Sequence, residues 1–224
     1  MIIGENVRRI PCDFLNNENG FSVEQVVIPE SVTHIGGSAF AYFQGTVNLP
    51  SSLTTIDGYA FYHCTGLSGN LVLPGMLNNM GYYAFAECTN LTGVVFPNSL
   101  TYINDYAFYN CTGLTGSLTI PNNVQWIGWY AFNGCTGLSG TLSLGVSLES
   151  IGDYAFFGFM DNITELHTHA MTPPNLGSSV FLGSSAEMPV YVPCGTTENY
   201  QNASGWNSFA NIQESDPCSW VISA

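Results

Sequence analysis

Hydrophobic residues recur along this chain with a period of about 24 residues. The clearest marker of the period is an Ala-Phe pair, which occurs at Ala39-Phe40, Ala60-Phe61, Ala84-Phe85, Ala107-Phe108, Ala131-Phe132 and Ala155-Phe156. A fixed period of this length indicates a supersecondary unit that cannot bury its apolar side alone, so neighbouring units stack and share one core. The pattern therefore predicts a solenoid.

Each repeat also contains a short segment in which apolar and polar residues alternate. Leu118, Thr119 and Ile120 show this alternation, which is typical of a half-buried strand, and Pro121 ends it. The equivalent segments begin at Val26, Val47, Leu71, Val94 and Leu142. We expect these strands to stack about 4.8 Å apart as one parallel sheet. A second short segment points inward, and the Tyr-Ala-Phe stretch is expected to form a single helical turn.

One column of the repeat, three residues after the Ala-Phe phenylalanine, alternates between cysteine and phenylalanine. Its members are Phe43, Cys64, Cys88, Cys111, Cys135 and Phe159. This alternation indicates a buried apolar position. A metal site would need Cys-x-x-Cys or histidine partners at ligand spacing, which the sequence lacks. Outside this column, Cys194 and Cys218 are candidates for a disulfide in the C-terminal segment, which only geometry can decide.

The repeat resembles the BspA-type, or Treponema-type, leucine-rich repeat. The residues that carry the similarity are Ile127-Gly128, Ala131-Phe132, Cys135, Leu138, Leu142 and Leu144, and the match covers about residues 1–170. Residues 191–212 resemble the closing segment of such proteins from Bacteroides-like bacteria. The resemblance implies an α/β fold: a right-handed leucine-rich-repeat solenoid with a parallel sheet face, short helical turns and a C-terminal cap. It also implies a secreted or surface-attached bacterial protein that adheres to host or bacterial macromolecules, matrix proteins included.

We divide the chain into a solenoid, residues 1–172, and a degenerate last repeat with a C-terminal cap, residues 173–224. The solenoid is expected to begin inside a longer array, with its first repeat truncated and Asp13-Phe14 in the Ala-Phe position. In the cap, residues 196–203 are predicted to form a short helix. The residues predicted to cover the last repeat are Tyr200, Trp206, Phe209 and Ile212.

Charge excludes some classes of partner. The chain has two basic residues, Arg8 and Arg9, sixteen acidic residues and no lysine, so its formal net charge is -14. Nucleic acid is bound through clustered basic residues, and an anionic membrane also attracts basic residues. Neither is therefore an expected partner. No apolar stretch is long enough to span a bilayer, and the first residues do not resemble a signal peptide. An extracellular or cell-surface location is implied by the family resemblance alone.

Three residues near the end of the solenoid form a candidate polar site. Because alternate residues of a strand share a face, Glu165, His167 and His169 are expected to project together from the outer face. Their spacing permits a transition metal and equally suits an ordinary polar strand face, so no metal or cofactor is assigned. Ser143 beside His167 is the nearest approach to a catalytic pair, and no supported nucleophile is evident, so no enzyme activity is predicted.

Aromatic residues provide the second candidate site. Tyrosines precede five of the Ala-Phe pairs, and so regular a ladder is most simply a stacking feature of the solenoid edge. Tyr82, Tyr102, Trp126 and Trp129 instead replace small or polar residues, and we expect them to cluster near the middle repeats. Such residues are candidate contacts for a protein or for sugar rings. The predicted function is a non-catalytic interaction module of the cell surface, and the alternative is a carbohydrate-binding surface protein.

Overall fold

The computed structural model describes residues 1–17 and 23–215, which form a solenoid of short parallel strands. The strands are β1 Arg9–Ile10, β2 Gln25–Val26, β3 His34–Ile35, β4 Thr46–Val47, β5 Thr55–Ile56, β6 Gly69–Val72, β7 Asn79–Met80, β8 Leu91–Val95, β9 Tyr102–Ile103, β10 Gly116–Thr119, β11 Trp126–Ile127, β12 Leu138–Leu144, β13 Ser150–Ile151, β14 Ile163–Thr168, β15 Asn175–Leu176, β16 Val190–Val192 and β17 Ile212–Glu214. An α-helix, α1, spans Thr197–Asn202, and 3-10 helices span Met160–Asn162 and Trp206–Ser208.

The strands form two ladders along the solenoid. The main ladder contains the even-numbered strands and β17, and the second ladder contains the two-residue odd-numbered strands β1 to β15. The expectation of one continuous sheet is wrong for the main ladder, which is divided into pairs β2–β4 and β6–β8 and a five-stranded sheet from β10 to β17. The second ladder, expected only as an inward-pointing segment, is itself hydrogen-bonded as two four-stranded parallel sheets.

Unequal repeat lengths are absorbed at glycines in the main ladder. Register shifts begin at Gly69, Gly116 and Gly140. All three have positive φ, at 74°, 70° and 74°. A side chain is disfavoured by about 1–2 kcal/mol at such an angle, so glycine is the least costly residue where the next strand carries an extra residue opposite it.

The Tyr-Ala-Phe segment forms hydrogen-bonded turns instead of the expected helical turn. In the repeat that contains Ala60, the N–H groups of Tyr59, Phe61 and His63 donate to carbonyls of the following repeat. The residues between them donate to carbonyls three residues back. Tyr59 and His63 have positive φ, at 59° and 52°. Because these residues are left-handed, alternate N–H groups point towards the next repeat. The segment therefore joins neighbouring repeats, which a helix could not do because its N–H groups bond within the helix.

Stacked phenylalanines fill the centre of the solenoid. The rings of Phe40, Phe61, Phe85, Phe108, Phe132, Phe156 and Phe181 follow one another at centroid distances of 5.2 to 6.2 Å. The cysteine column lies beside them, fully buried as predicted. Each thiol donates to a phenylalanine carbonyl of the preceding repeat, as Cys111 does to Phe85 at 3.1 Å. Burial raises the pKa of these thiols, to about 12 for Cys88 and Cys135.

The alignment of the first repeat differs by one residue from the expectation. Asp13 has the positive φ of 54° that marks the residue before each Ala-Phe pair. The N–H of Leu15 donates to the carbonyl of Ala39, the bond that each Ala-Phe phenylalanine makes with the next repeat. Phe14-Leu15, not Asp13-Phe14, therefore occupies the Ala-Phe position, and Leu15 is the buried member.

The C-terminal segment closes the core as predicted. Trp206 and Phe209 contact Phe181, the last ring of the stack, at 5.1 and 5.5 Å. The hydroxyl of Tyr200 donates to the carbonyl of Ala170 at 2.7 Å, and the indole of Trp206 donates to the carbonyl of Pro174 at 2.8 Å. Cys194 takes part in a disulfide bond. Its expected partner, Cys218, lies outside the described residues.

Candidate functional site

The consensus-breaking aromatics lie on the outer surface of the second ladder. We call Tyr82, Tyr102, Trp126 and Trp129 the aromatic patch. Tyr102 and Trp126 face outward from neighbouring strands, β9 and β11, where they are directly paired. Their ring centroids are 6.5 Å apart in an edge-on arrangement. Tyr102 is 48% exposed, so this pair offers a wide apolar surface to solvent.

The other two rings of the aromatic patch lie over glycines. A Cβ atom added to Gly58 would be 2.9 Å from Cε1 of Tyr82, and one added to Gly152 would be 2.5 Å from Cδ1 of Trp129. Tyr82 therefore leans towards the preceding repeat and Trp129 towards the following one. Both remain exposed, at 56% and 54%. The glycines hold the rings close to the backbone and leave much of each ring open.

The structure brings only two members of the aromatic patch into ring contact. Within residues 1–17 and 23–215, Tyr102 meets Trp126, whereas Tyr82 meets Tyr59 at 5.2 Å and Tyr83 at 6.3 Å. The arrangement is two columns along the repeats, with Tyr102 and Trp126 in one and Tyr82 and Trp129 in the other, not a compact cluster. Such an arrangement suits an extended ligand better than a small one.

Carboxylates alternate with Tyr82 and Trp129 in the column of the repeat that these two rings share. Asp105 occupies the repeat position between Tyr82 and Trp129, and Asp153 follows Trp129. Oδ1 of Asp105 accepts a hydrogen bond from the backbone N–H of Trp129 at 2.8 Å. Asp153 makes the same bond with the N–H of Ser178 at 2.7 Å. The sequence analysis missed these carboxylates, although their period of two repeats was visible.

The rings of the tyrosine ladder are stacked, as expected for a stacking feature of the solenoid edge. Its rings, Tyr59, Tyr83, Tyr106, Tyr130 and Tyr154, are nearly parallel at centroid distances of 4.3 to 5.1 Å. Each residue has positive φ, between 54° and 59°. Burial, followed by the neighbouring Tyr106, raises the pKa of Tyr83 to about 12. Stacking on both sides engages the faces of the inner rings, so the ladder presents mainly ring edges.

One polar cluster beside this ladder was not anticipated. Glu87 accepts hydrogen bonds from the hydroxyl of Tyr62, at 3.0 Å, and pairs with Nδ1 of His63 at 2.9 Å. Burial and then the bond to Glu87 raise the pKa of Tyr62. His63 and Glu87 have positive φ in a column that holds glycine in later repeats, as at Gly134. That departure from glycine was the available sequence signal.

The polar strand β14 has the predicted orientation. Leu166 and Thr168 are buried, whereas Glu165, His167 and His169 lie on the outer face. Nε2 of His167 is 3.3 Å from Oε1 of Glu165, and the imidazole contacts the ring of Tyr191 at 4.6 Å. Burial, and then the neighbouring His167, lower the pKa of His169.

This arrangement does not form a metal-binding or catalytic set. In the part of the chain that the structure describes, no three His, Cys, Asp or Glu side chains are placed to hold a metal ion. Ser143 lies beside His167 in the strand register, yet its hydroxyl is nearer to Nε2 of His169, at 3.5 Å. The carboxylate that would orient a catalytic base contacts the other histidine, so the three groups of a triad are not aligned.

One open depression of about 390 Å³ lies between the last repeat and the cap. Its lining includes Leu176, Phe181 and Gly205, and none of its lining residues is titratable. No helix within the described ranges is long and apolar enough to cross a bilayer.

Comparison with known families agrees with this architecture. The model of the BspA-type leucine-rich repeat region matches residues 17–117 and 114–213 in six copies. The chain belongs to this family. The family repeat explains the columns that the repeats of this chain have in common. The residues of the aromatic patch are departures from those columns.

Solved structures of other leucine-rich repeat proteins share the fold. A leucine-rich repeat protein from Bacteroides ovatus is 22% identical with a TM-score of 0.53, over 87% of this chain and 61% of that one. A leucine-rich cell surface protein from Faecalibacterium prausnitzii is 18% identical with a TM-score of 0.51, over 97% and 88%. The pneumococcal vaccine antigen PcpA is 20% identical with a TM-score of 0.52, over 87% and 56%. This chain therefore spans about three fifths of the Bacteroides protein. A comparison with curated protein sequences found no match to this chain.

Proposed function

We propose that this chain is a non-catalytic interaction module that binds an extracellular or cell-surface macromolecule through the aromatic patch. The observation that carries the proposal is the exposure of Tyr82, Tyr102 and Trp129, at 48% to 56%, on a repeat surface that does not need them. Corresponding columns elsewhere hold residues such as Gly37 and Ser150. Large exposed aromatics are typical anchors of protein interfaces.

A location at the cell surface fits this proposal. The Faecalibacterium relative is described as a cell surface protein, and this chain shares its fold over most of both lengths. The composition, with 8% charged residues and a net charge of -14, is compatible with such a setting. The proposed partners are host matrix proteins or bacterial surface proteins.

A carbohydrate partner is the second candidate. The rings of Tyr82 and Trp129 lie over Gly58 and Gly152 with more than half of their surface exposed. Such flat platforms can stack against sugar rings. A glycan array and a panel of matrix proteins separate the two candidates, because only one of them should retain the chain.

The test uses the double variant Trp126→Ala with Trp129→Ala. We expect it to weaken binding to the captured ligand about tenfold or more, because truncation of anchor aromatics typically costs more than about 1 kcal/mol each. The matched control is Val72→Ala with Val95→Ala, which removes two exposed apolar side chains from the main ladder. Equal binding by the wild type and the tryptophan variant, with loss in the valine variant, would move the site to the main ladder.

A further inference from the structure

We propose that the partner presented to the aromatic patch is a cationic, extended polypeptide. This inference rests on the proposed function and names the chemistry of its ligand. Charge favours such a partner, because the chain has sixteen acidic residues, two basic ones and no lysine. Arg9 contacts Asp57 at 3.3 Å, towards the N-terminal end of the second ladder. An anionic partner would be repelled over the whole approach, and a cationic one attracted.

The order of groups along one column of the repeat also favours a cationic ligand. Tyr82, Asp105, Trp129 and Asp153 come from successive repeats, so aromatic ring and carboxylate alternate along the solenoid. Aromatic faces attract ammonium and guanidinium groups, and carboxylates pair with them. A lysine or arginine side chain could therefore contact a ring and a carboxylate at the same time. A neutral sugar could stack on the rings and donate hydroxyl hydrogen bonds to the carboxylates, but it would leave their charge unpaired.

The side chains of this column are preorganised for binding. The carboxylate of Asp105 is held by the N–H of Trp129, and that of Asp153 by the N–H of Ser178. The rings of Tyr82 and Trp129 are held over Gly58 and Gly152. Side chains already fixed in place lose little conformational entropy when a ligand binds.

The spacing indicates the conformation of the ligand. Equivalent positions two repeats apart are separated by about 9.6 Å, twice the usual strand spacing. Three residues of a polyproline II helix advance about 9.3 Å and return to the same face. A basic residue at every third position of such a segment would meet Asp105 and then Asp153.

The probe is a synthetic peptide with lysine at every third position of a polyproline background, titrated against the whole chain by tryptophan fluorescence. The comparison peptides are its Nε-acetylated form, which is neutral, and one of equal composition with the lysines adjacent. We expect saturable binding of the first peptide, loss of binding on acetylation and weaker binding of the third. Between about 0.05 and about 0.5 M NaCl the affinity should fall, because exposed charges are then screened.

Variants test the individual groups. Trp129→Ala should raise Kd about tenfold. Asp105→Asn keeps the acceptor for the N–H of Trp129 and removes only the charge, so Kd should rise about threefold with a smaller salt dependence. The matched control is Asp161→Asn, which removes an equal charge from the 3-10 helix at Met160–Asn162.

A glycine variant tests the positioning of Tyr82. In Gly58→Ala the three atoms nearest the new methyl group all belong to the Tyr82 ring, so the ring should leave its place while the side chain remains. We expect about the same loss of affinity as in Tyr82→Ala. Gly75→Ala, where a Cβ meets nothing within 4 Å, is the control and should bind normally.

The outcomes separate the inference from the proposed function. Absence of binding by the lysine peptide, equal binding of its acetylated form, or an Asp105→Asn variant with unchanged Kd would each overturn the cationic partner. If a neutral glycan or matrix protein still bound and depended on Trp126 and Trp129, the interaction module would stand with a different ligand. Binding that ignores both tryptophans would overturn the proposed function itself.

Discussion

Tyr106 in the middle of the tyrosine ladder offers a direct test of how the repeat balances stacking against backbone strain. Its ring lies between those of Tyr83 and Tyr130, at 4.3 and 4.9 Å and nearly parallel to both. Its φ is +57°, which is unfavourable for a residue with a Cβ atom. Each stacked contact stabilises by about 0.5–1.5 kcal/mol, and the left-handed conformation costs about 1–2 kcal/mol.

Two substitutions separate these contributions. Tyr106→Ala removes both stacked contacts and keeps the strain, so it should destabilise the fold by about 1–3 kcal/mol plus the lost burial. Tyr106→Gly removes the same contacts and also the strain. We therefore expect the glycine variant to be about 1 kcal/mol more stable than the alanine variant. Tyr106→Phe keeps the stack and should lie closest to the wild type.

Urea unfolding followed by circular dichroism measures the order of the variants. Tyr109 is the control position, because it lies on the same edge without a positive φ. There glycine should be less stable than alanine by about 0.4–1 kcal/mol, since it adds conformational entropy to the unfolded chain. If alanine equalled or exceeded glycine at Tyr106, the assignment of strain to the ladder would be refuted.

Further measurements test other parts of the structure. Within the described residues, Cys12 is the exposed free thiol, whereas the ladder thiols are buried and have a raised pKa. Cys12→Ser should therefore abolish the reaction of these thiols with a thiol reagent in the folded protein, and denaturant should restore it. Tyr200→Phe should destabilise the cap by about 1–2 kcal/mol, since the buried carbonyl of Ala170 loses its donor. The pKa values of Tyr83 and Tyr200 are raised from 10.0 to about 12, so folding favours their neutral forms. The stabilisation that these two groups contribute should be complete below pH 10 and should be lost as the pH rises towards 12. Zinc added after chelation should leave the melting temperature unchanged, because Glu165, His167 and His169 do not converge on one point.

The last repeat shows how far the pattern alone could be followed. A degenerate last repeat was expected within residues 173–224, without an alignment to the other copies. Leu176-Gly177 and Val180-Phe181 nevertheless occupy the same positions as Ile151-Gly152 and Ala155-Phe156. Valine in place of alanine concealed the copy, although a tolerant search for a small apolar residue before phenylalanine would have found it.

The candidate site was only partly predictable. The departures at Tyr82, Tyr102, Trp126 and Trp129 were visible because a repeat defines what each column requires. Their directions were not visible, since those depend on which neighbouring repeat has a glycine beneath the ring. The two-column arrangement, and the carboxylates between Tyr82 and Trp129, follow from contacts between residues about 24 positions apart.

The sequence by itself determined the period, the inward-facing residues and the polar or apolar character of each column, because stacking identical units makes one local pattern a global one. Only the tertiary structure decided how the backbone joins the units. The turns alternate hydrogen bonds within and between repeats, and the main ladder is divided where register changes. These features depend on left-handed residues and on the matching of unequal repeats, which are properties of neighbouring units and not of any one segment.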